Sequence, residues 1–275
     1  MIEQVIACLD GSPFAEQILP FAHCVAAVKP IPLTLLRVVG DREEFSAEES
    51  YLSDWARAYA ARVKVLVSDD PPRAIIAELE KNPGAIPAMT THGRTAWAEA
   101  ILGSVALEAV RGAKRPALLY RPRPGSVRVP RKITTVVAAL DGGNFAEAIL
   151  PAAVEMATLL RSKLLLLHVL TPETLAAGRL AAGDVLESSY LHKTALEIQR
   201  QHGFLPSWDV LHGEPGEALC RYLQDMPDAI LAMTTHGRSG LRRAFLGSIA
   251  AECVRNAGLP MLMYWPPDAF SAAAR

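Results

Sequence analysis

The chain has 275 residues, 51% of them hydrophobic and 21% charged, and a formal net charge of −1. That length accommodates two domains that each bury a core, and a chain with no basic surplus is not expected to bind nucleic acid. The first residues carry no basic stretch ahead of a sustained apolar one, and the apolar runs are strand-length, so neither a signal peptide nor a membrane span is expected.

In chain order, Val5–Leu9 predicts a first strand and Phe14–Val28 a helix, followed by a strand at Leu33–Val39 and a helix at Ala47–Arg62. A third strand is expected at Val63–Val67, a helix at Arg73–Lys81, a fourth strand at Ala85–Met89, a helix at Ser104–Ala113 and a fifth strand at Ala117–Tyr120. The same plan runs again from Ile133 to Tyr264. Strands alternating with helices predict right-handed crossovers and a parallel sheet. The expected fold is therefore α/β, with two tandem doubly wound domains, each a five-stranded parallel sheet in the order 3-2-1-4-5 with helices on both faces. Four cysteines, Cys8, Cys24, Cys220 and Cys253, lack CxxC spacing and read as buried hydrophobes of a reducing, cytoplasmic compartment.

An internal repeat supports that division. Asp10–Pro20 returns as Asp141–Pro151 with eight of eleven positions identical, and Met89–Pro122 returns as Met233–Pro266 with 19 identities in 34. The offset grows from 131 to 144 between the two blocks, so the second copy carries about 13 extra residues, which fall in the helical segment 171–208. Pro, Gly and Arg replace the apolar pattern at Arg121–Arg131, which reads as a linker between domains at 1–125 and 131–275.

Ligands of doubly wound sheets sit beyond the carboxyl ends of the strands where the winding reverses, here between the first and fourth strands. The copies share the residues at those ends: Asp10-Gly11 with Thr90-Thr91-His92-Gly93, and Asp141-Gly142 with Thr234-Thr235-His236-Gly237. Gly93 precedes Gly103-Ser104 by nine intervening residues, and Gly237 precedes Gly247-Ser248 by the same interval. Glycine-bearing turns that lead into a helix N-terminus suit a phosphate, because unpaired N–H groups and the helix dipole both favour an anion; a bland helix start is the alternative. His92 and His236 read as residues that hold the turn, and no spacing suggests a triad or a metal cluster.

The run Met89-Thr-Thr-His-Gly-Arg to Leu102-Gly-Ser, its copy Met233-Thr-Thr-His-Gly-Arg to Leu246-Gly-Ser, the Leu-Asp-Gly ends of the first strands and the Leu-Leu-Arg37-Val38 and Leu-Leu-His168-Val169 segments together resemble the universal stress protein family, in tandem. The resemblance covers essentially the whole chain twice and implies ATP binding with little or no catalytic turnover. It implies that Asp10 and Asp141 lie near the ribose or a phosphate-bound cation, where Mg²⁺ would be shared with the nucleotide. It places Val38 and Val169 at the adenine. Thr90, Gly93, Gly103 and Ser104, with Thr234, Gly237, Gly247 and Ser248, would line the phosphate site, and Arg94 and Arg238 would add charge there. It also implies pairing of domains through the fifth strands, whose apolar runs are Pro116–Tyr120 and Pro260–Tyr264, within the chain or in a homodimer.

The chain departs from the family pattern in three places. Thr90 and Thr234 stand where the motif has its first glycine. Ser68-Asp69-Asp70-Pro71 ends the third strand of the first copy, where the second has His212-Gly213-Glu214-Pro215, and the two carboxylates would repel a triphosphate if they face it. Pro87 is expected to interrupt the fourth strand of the first copy. The first copy is thus the more eroded, and a protein with one site is expected to bind through the second. The competing readings are a scaffold without nucleotide that acts through its surfaces, and an ATP-pyrophosphate-splitting ligase, which Leu140-Asp-Gly-Gly-Asn144 matches only superficially.

Overall fold

The computed structural model describes residues 1–91, 103–122, 132–171, 180–235 and 246–266. The chain divides into two compact units, Met1–Lys132 and Ile133–Arg275. In the first, β1 (Gln4–Leu9) leads through a 3₁₀ turn (Ala15–Ile18) into α1 (Leu19–Val28). Then come β2 (Leu33–Val39), α2 (Phe45–Tyr59), β3 (Arg62–Val67), α3 (Pro71–Lys81), β4 (Ala85–Thr90), α4 (Ser104–Ala113) and β5 (Ala117–Tyr120). The strands lie in the order β3-β2-β1-β4-β5, and every pairing is parallel.

The second unit contains β6 (Thr135–Leu140), a short α5 (Asn144–Glu147), α6 (Leu150–Leu160), β7 (Lys163–Leu170) and α7 (Leu180–His202). It continues with β8 (Ser207–His212), α8 (Pro215–Leu223), β9 (Ala229–Thr234), α9 (Ser248–Asn256) and β10 (Met261–Tyr264). Its order is β8-β7-β6-β9-β10, again parallel throughout. Right-handed crossovers on a sheet that reverses its direction of winding put the first two helices on one face and the last two on the other. In keeping with that, α3 packs against α4, and α8 against α9. Strand β2 is buried at all seven positions because helices cover both its faces. No helix among the described residues is long and apolar enough to cross a membrane.

Several expected boundaries shift for identifiable reasons. The helix expected at Phe14–Val28 starts at Leu19, because Pro20 sits in its first turn, where a missing N–H costs nothing, and the chain before it closes as a 3₁₀ turn. The helix expected at Ala47–Arg62 runs from Phe45 to Tyr59: Ala60 adopts a left-handed conformation at φ 50°, and Arg62 already pairs with Thr34 in the sheet. Helix α3 begins two residues earlier than expected. Asp70 caps it by accepting from Arg73 N at 3.1 Å, and Pro71 and Pro72 fill positions whose amides are orphaned anyway. The insertion of the second copy shows in α7, which has 23 residues where α2 has 15.

Pro87 does not interrupt β4, which is continuous and pairs Pro87 with Ile6. Its effect falls on the other side of the strand. In the second unit the equivalent Leu231 donates its N–H to Pro260 O at 3.1 Å, and Met261 pairs with Leu231. Pro87 has no N–H to give, and the β4–β5 ladder begins one pair later, at Ala88 and Leu118. The imino acid thus shortens one ladder by a single rung and leaves the strand whole.

Candidate functional site

Both units build the same structure at the ends of their first and fourth strands. After β1, Asp10 Oδ1 accepts from Ser12 N at 2.9 Å and from Ser12 Oγ at 2.6 Å, and Ser12 Oγ accepts from Ala15 N at 3.2 Å. After β6, Asp141 Oδ1 accepts from Gly143 N at 2.8 Å. Gly11 and Gly142 take φ values of 77° and 73°, a region that side-chain-bearing residues rarely adopt, so the Asp-Gly pair turns the backbone away from the strand end. One oxygen of each aspartate therefore holds its own turn.

The second wall comes from the strand facing it across the winding reversal. Thr91 N donates to Tyr120 O at 2.9 Å and Thr235 N to Tyr264 O at 3.1 Å, which ties each fourth strand to its fifth. Their carbonyls then accept from Gly103 N at 2.5 Å and Gly247 N at 2.7 Å. The Gly103 and Gly247 amides are thus occupied by the protein itself. Intrahelical bonding starts with Leu107 N to Gly103 O at 3.0 Å and Ala251 N to Gly247 O at 2.8 Å. The amides of Ser104, Val105 and Ala106, like those of Ser248, Ile249 and Ala250, precede these bonds and have no acceptor within their helix. The amides without an acceptor in their helix are therefore those one to three residues after each glycine.

A cavity of about 280 Å³ lies in the first unit between these walls. It brings together Asp10, Val38, Thr90, Gly103 and Ser104, five of the residues singled out from sequence. Gly93, with His92 and Arg94, lies outside the described residues, as do Gly237, His236 and Arg238. In the second unit Asp141, Val169, Thr234, Gly247 and Ser248 occupy the equivalent strand ends and helix start. Thr90 is buried and lines the cavity without filling it. Asp69 and Asp70 are exposed and do not line it, and Asp70 is engaged at the start of α3. Of the two carboxylates, Asp70 caps a helix, and neither lines the cavity.

Residues that the sequence did not single out also form the walls, among them Cys8, Arg37, Ile75 and Val105. Arg37 is the one charge in an otherwise apolar β2, and that contrast was the available signal. Its guanidinium forks onto Glu48 of α2, with Nε to Oε2 at 3.0 Å and a terminal nitrogen to Oε1 at 3.3 Å. In the second unit the equivalent is His168, buried, whose Nδ1 meets Leu140 O at 3.0 Å and whose ring lies nearly perpendicular to that of Tyr190, 6.4 Å between centroids. Burial pushes the Cys8 thiol up to about 12, so it is protonated at neutral pH and is no nucleophile there. Tyr51 is likewise held above its ordinary value by burial and by its bond to Glu16, which keeps the phenol a donor.

A model of the universal stress protein family matches residues 1–121 and, a second time, residues 132–264. The chain belongs to the universal stress protein family. It is similar to universal stress protein Slr1230 of Synechocystis sp., with 23% identity over 96% of this chain and all of that protein. Among solved structures, the protein PA1789 of Pseudomonas aeruginosa, described as functionally unknown, superimposes with a TM-score of 0.68 at 20% identity and covers 98% of this chain and 95% of its own. A universal stress protein of Archaeoglobus fulgidus gives 0.66 at 17% identity, covering 96% of this chain and 98% of its own. These likenesses establish a tandem universal stress protein fold over the full described length.

Proposed function

We propose that this universal stress protein binds ATP in the first-unit cavity, and in its counterpart in the second unit, and that it acts as a stress-response regulator with little or no turnover. The observation that carries the reading is the cavity itself. It joins an apolar slot beside Val38 to the first-turn amides of a helix, which is the chemistry an adenosine phosphate requires. Asp10 and Asp141 would sit within reach of a phosphate-bound Mg²⁺, since that ion takes one or two carboxylates plus phosphate oxygens. The scaffold reading rests on the threonines in place of glycine and on Asp69-Asp70, and is weakened by the space left beside Thr90 and by both carboxylates lying outside the cavity lining. Pairing through the fifth strands, within one chain or between two, is proposed on their apolar character alone.

The test is thermal unfolding with and without Mg·ATP, with alkylation of Cys8 followed by mass spectrometry to locate the ligand. ATP at one hundred times its dissociation constant should stabilise the protein by about 2.7 kcal/mol. In its absence, Cys8 labelling should be slow at pH 8 and rise roughly tenfold per pH unit toward pH 11, as the thiolate fraction grows. ATP should slow the labelling further. Stabilisation without protection of Cys8 would move the nucleotide out of the first unit, and no stabilisation at millimolar ATP would leave the scaffold.

A further inference from the structure

The helix after the second strand is lightly embedded in the first unit. Only Leu52 and Ala56 of the fifteen residues of α2 are buried, against six of ten in α1. The C-terminal half of α2 is held by those two side chains and by Tyr59, whose ring lies 5.4 Å from that of His23. The N-terminal half is held by polar contacts. Glu48 binds Arg37, and Tyr51 donates its hydroxyl to Glu16 Oε1 at 2.6 Å. Arg37 is a wall of the cavity, and Glu16 directly follows Ala15, another wall. Glu48 and Tyr51, three apart, share one face of α2, so this face reaches two cavity walls, one from β2 and one from the 3₁₀ turn after β1.

The tyrosine contact recurs in the second unit, where Tyr190 of α7 donates to Glu147 Oε1 at 2.8 Å. The recurrence is not a by-product of the repeat. Glu16 and Glu147 each lie six residues beyond their aspartate, but Tyr51 lies 14 residues beyond Arg37 and Tyr190 lies 22 beyond His168. Two helices of different length each place a tyrosine on the same glutamate. The arginine contact, by contrast, is replaced by the bond from His168 to Leu140 O.

We propose that the Tyr51–Glu16 hydrogen bond is a latch that keeps the N-terminal half of α2 across two walls of the cavity and sets how fast a ligand enters and leaves, with Tyr51 and Glu16 as positioning residues. The inference rests on the reading that this cavity takes a nucleotide. A phenol–carboxylate bond is charge-assisted, and a helix half with few buried contacts opens locally once such a bond is lost. A latch that closes the free and loaded protein equally changes both rates and leaves the equilibrium alone.

The experiment uses full-length Tyr51→Phe, Glu16→Ala and Glu16→Gln proteins with a fluorescent ribose-labelled ATP and Mg²⁺ in stopped flow, and hydrogen exchange of the ligand-free proteins. In Tyr51→Phe and Glu16→Ala, association and dissociation should both accelerate roughly tenfold, with the dissociation constant within about twofold of wild type. Amides 45–52 should exchange faster while those of β1 and β2 do not. Glu16→Gln retains an acceptor oxygen without its charge and should give rates between those of Glu16→Ala and wild type. Unchanged rates, a weakened equilibrium without faster exchange, or a Glu16→Gln protein as fast as Glu16→Ala would each overturn the latch. If the wild type binds no ATP, the nucleotide reading fails by itself, and unchanged exchange of amides 45–52 in Tyr51→Phe then decides against the latch.

Discussion

Val105→Glu should raise the stability of the ligand-free protein slightly while cutting its affinity for ATP by at least about thirtyfold, roughly 2 kcal/mol. Val105 is the second residue of α4, is 38% exposed and lines the cavity. A carboxylate there meets the positive end of the helix, which favours it by about 0.3–1 kcal/mol. The same charge stands where a phosphate would be held, and two like charges about 4 Å apart at an effective dielectric of about 20 oppose each other by about 4 kcal/mol, part of which relaxation recovers. Val105→Thr, close in shape and neutral, should bind within about threefold of wild type. Calorimetric titration and thermal unfolding read the two effects separately. If stability and affinity fell together, the substitution would have damaged the fold; if affinity held, the phosphates would lie elsewhere. Ile249→Glu places the same charge at the second residue of α9. The ratio of the two losses ranks the units, and it tests directly the expectation from sequence that the second copy is the better site.

That ranking shows where sequence reasoning has reach and where it stops. Strands such as β2 and β7 were legible because helices bury both their faces, which leaves an unmistakable apolar run. Asp10 and Thr90 were legible together because the winding rule brings the ends of the first and fourth strands together whatever the side chains do, whereas Gly103 and Ser104 rested on motif spacing and Val38 on the family resemblance alone. What stayed hidden depends on partners distant in the chain. Glu48 and Arg37 are eleven residues apart, and Tyr51 and Glu16 thirty-five, with no local pattern joining them. Asp70 would repel a phosphate only if it faced one; its position before Pro71-Pro72 is also an ordinary helix start, and that is the role its carboxylate takes. The spacing marks Gly103 as the start of a helix, and α4 begins there, but its amide turns inward to Thr91, so the amides without a helical acceptor are those of the residues after it.

The largest effect on stability is expected at the charged pair on the cavity wall. The Arg37 side chain is 8% exposed and its partner Glu48 18%, so Glu48→Leu strands a guanidinium charge in the wall and should destabilise the first unit by about 3 kcal/mol. Arg37→Met with Glu48→Leu removes both charges and should return to within about 1 kcal/mol of wild type, because a buried ion pair is worth little over an apolar pair of similar volume. Arg37→His imports the solution found in the second unit. The new ring can bond Leu9 O as His168 bonds Leu140 O, and the half-buried Glu48 can turn toward water, so the cost should be about 1 kcal/mol. Since two linked units need not unfold in one step, the measurement is hydrogen exchange of the β2 amides rather than a single melting point. A loss below about 0.5 kcal/mol in Glu48→Leu would mean that the pair is solvated like a surface salt bridge. The wall beside Val38 would then be open to water, and the apolar slot assigned to the base would have to be placed elsewhere.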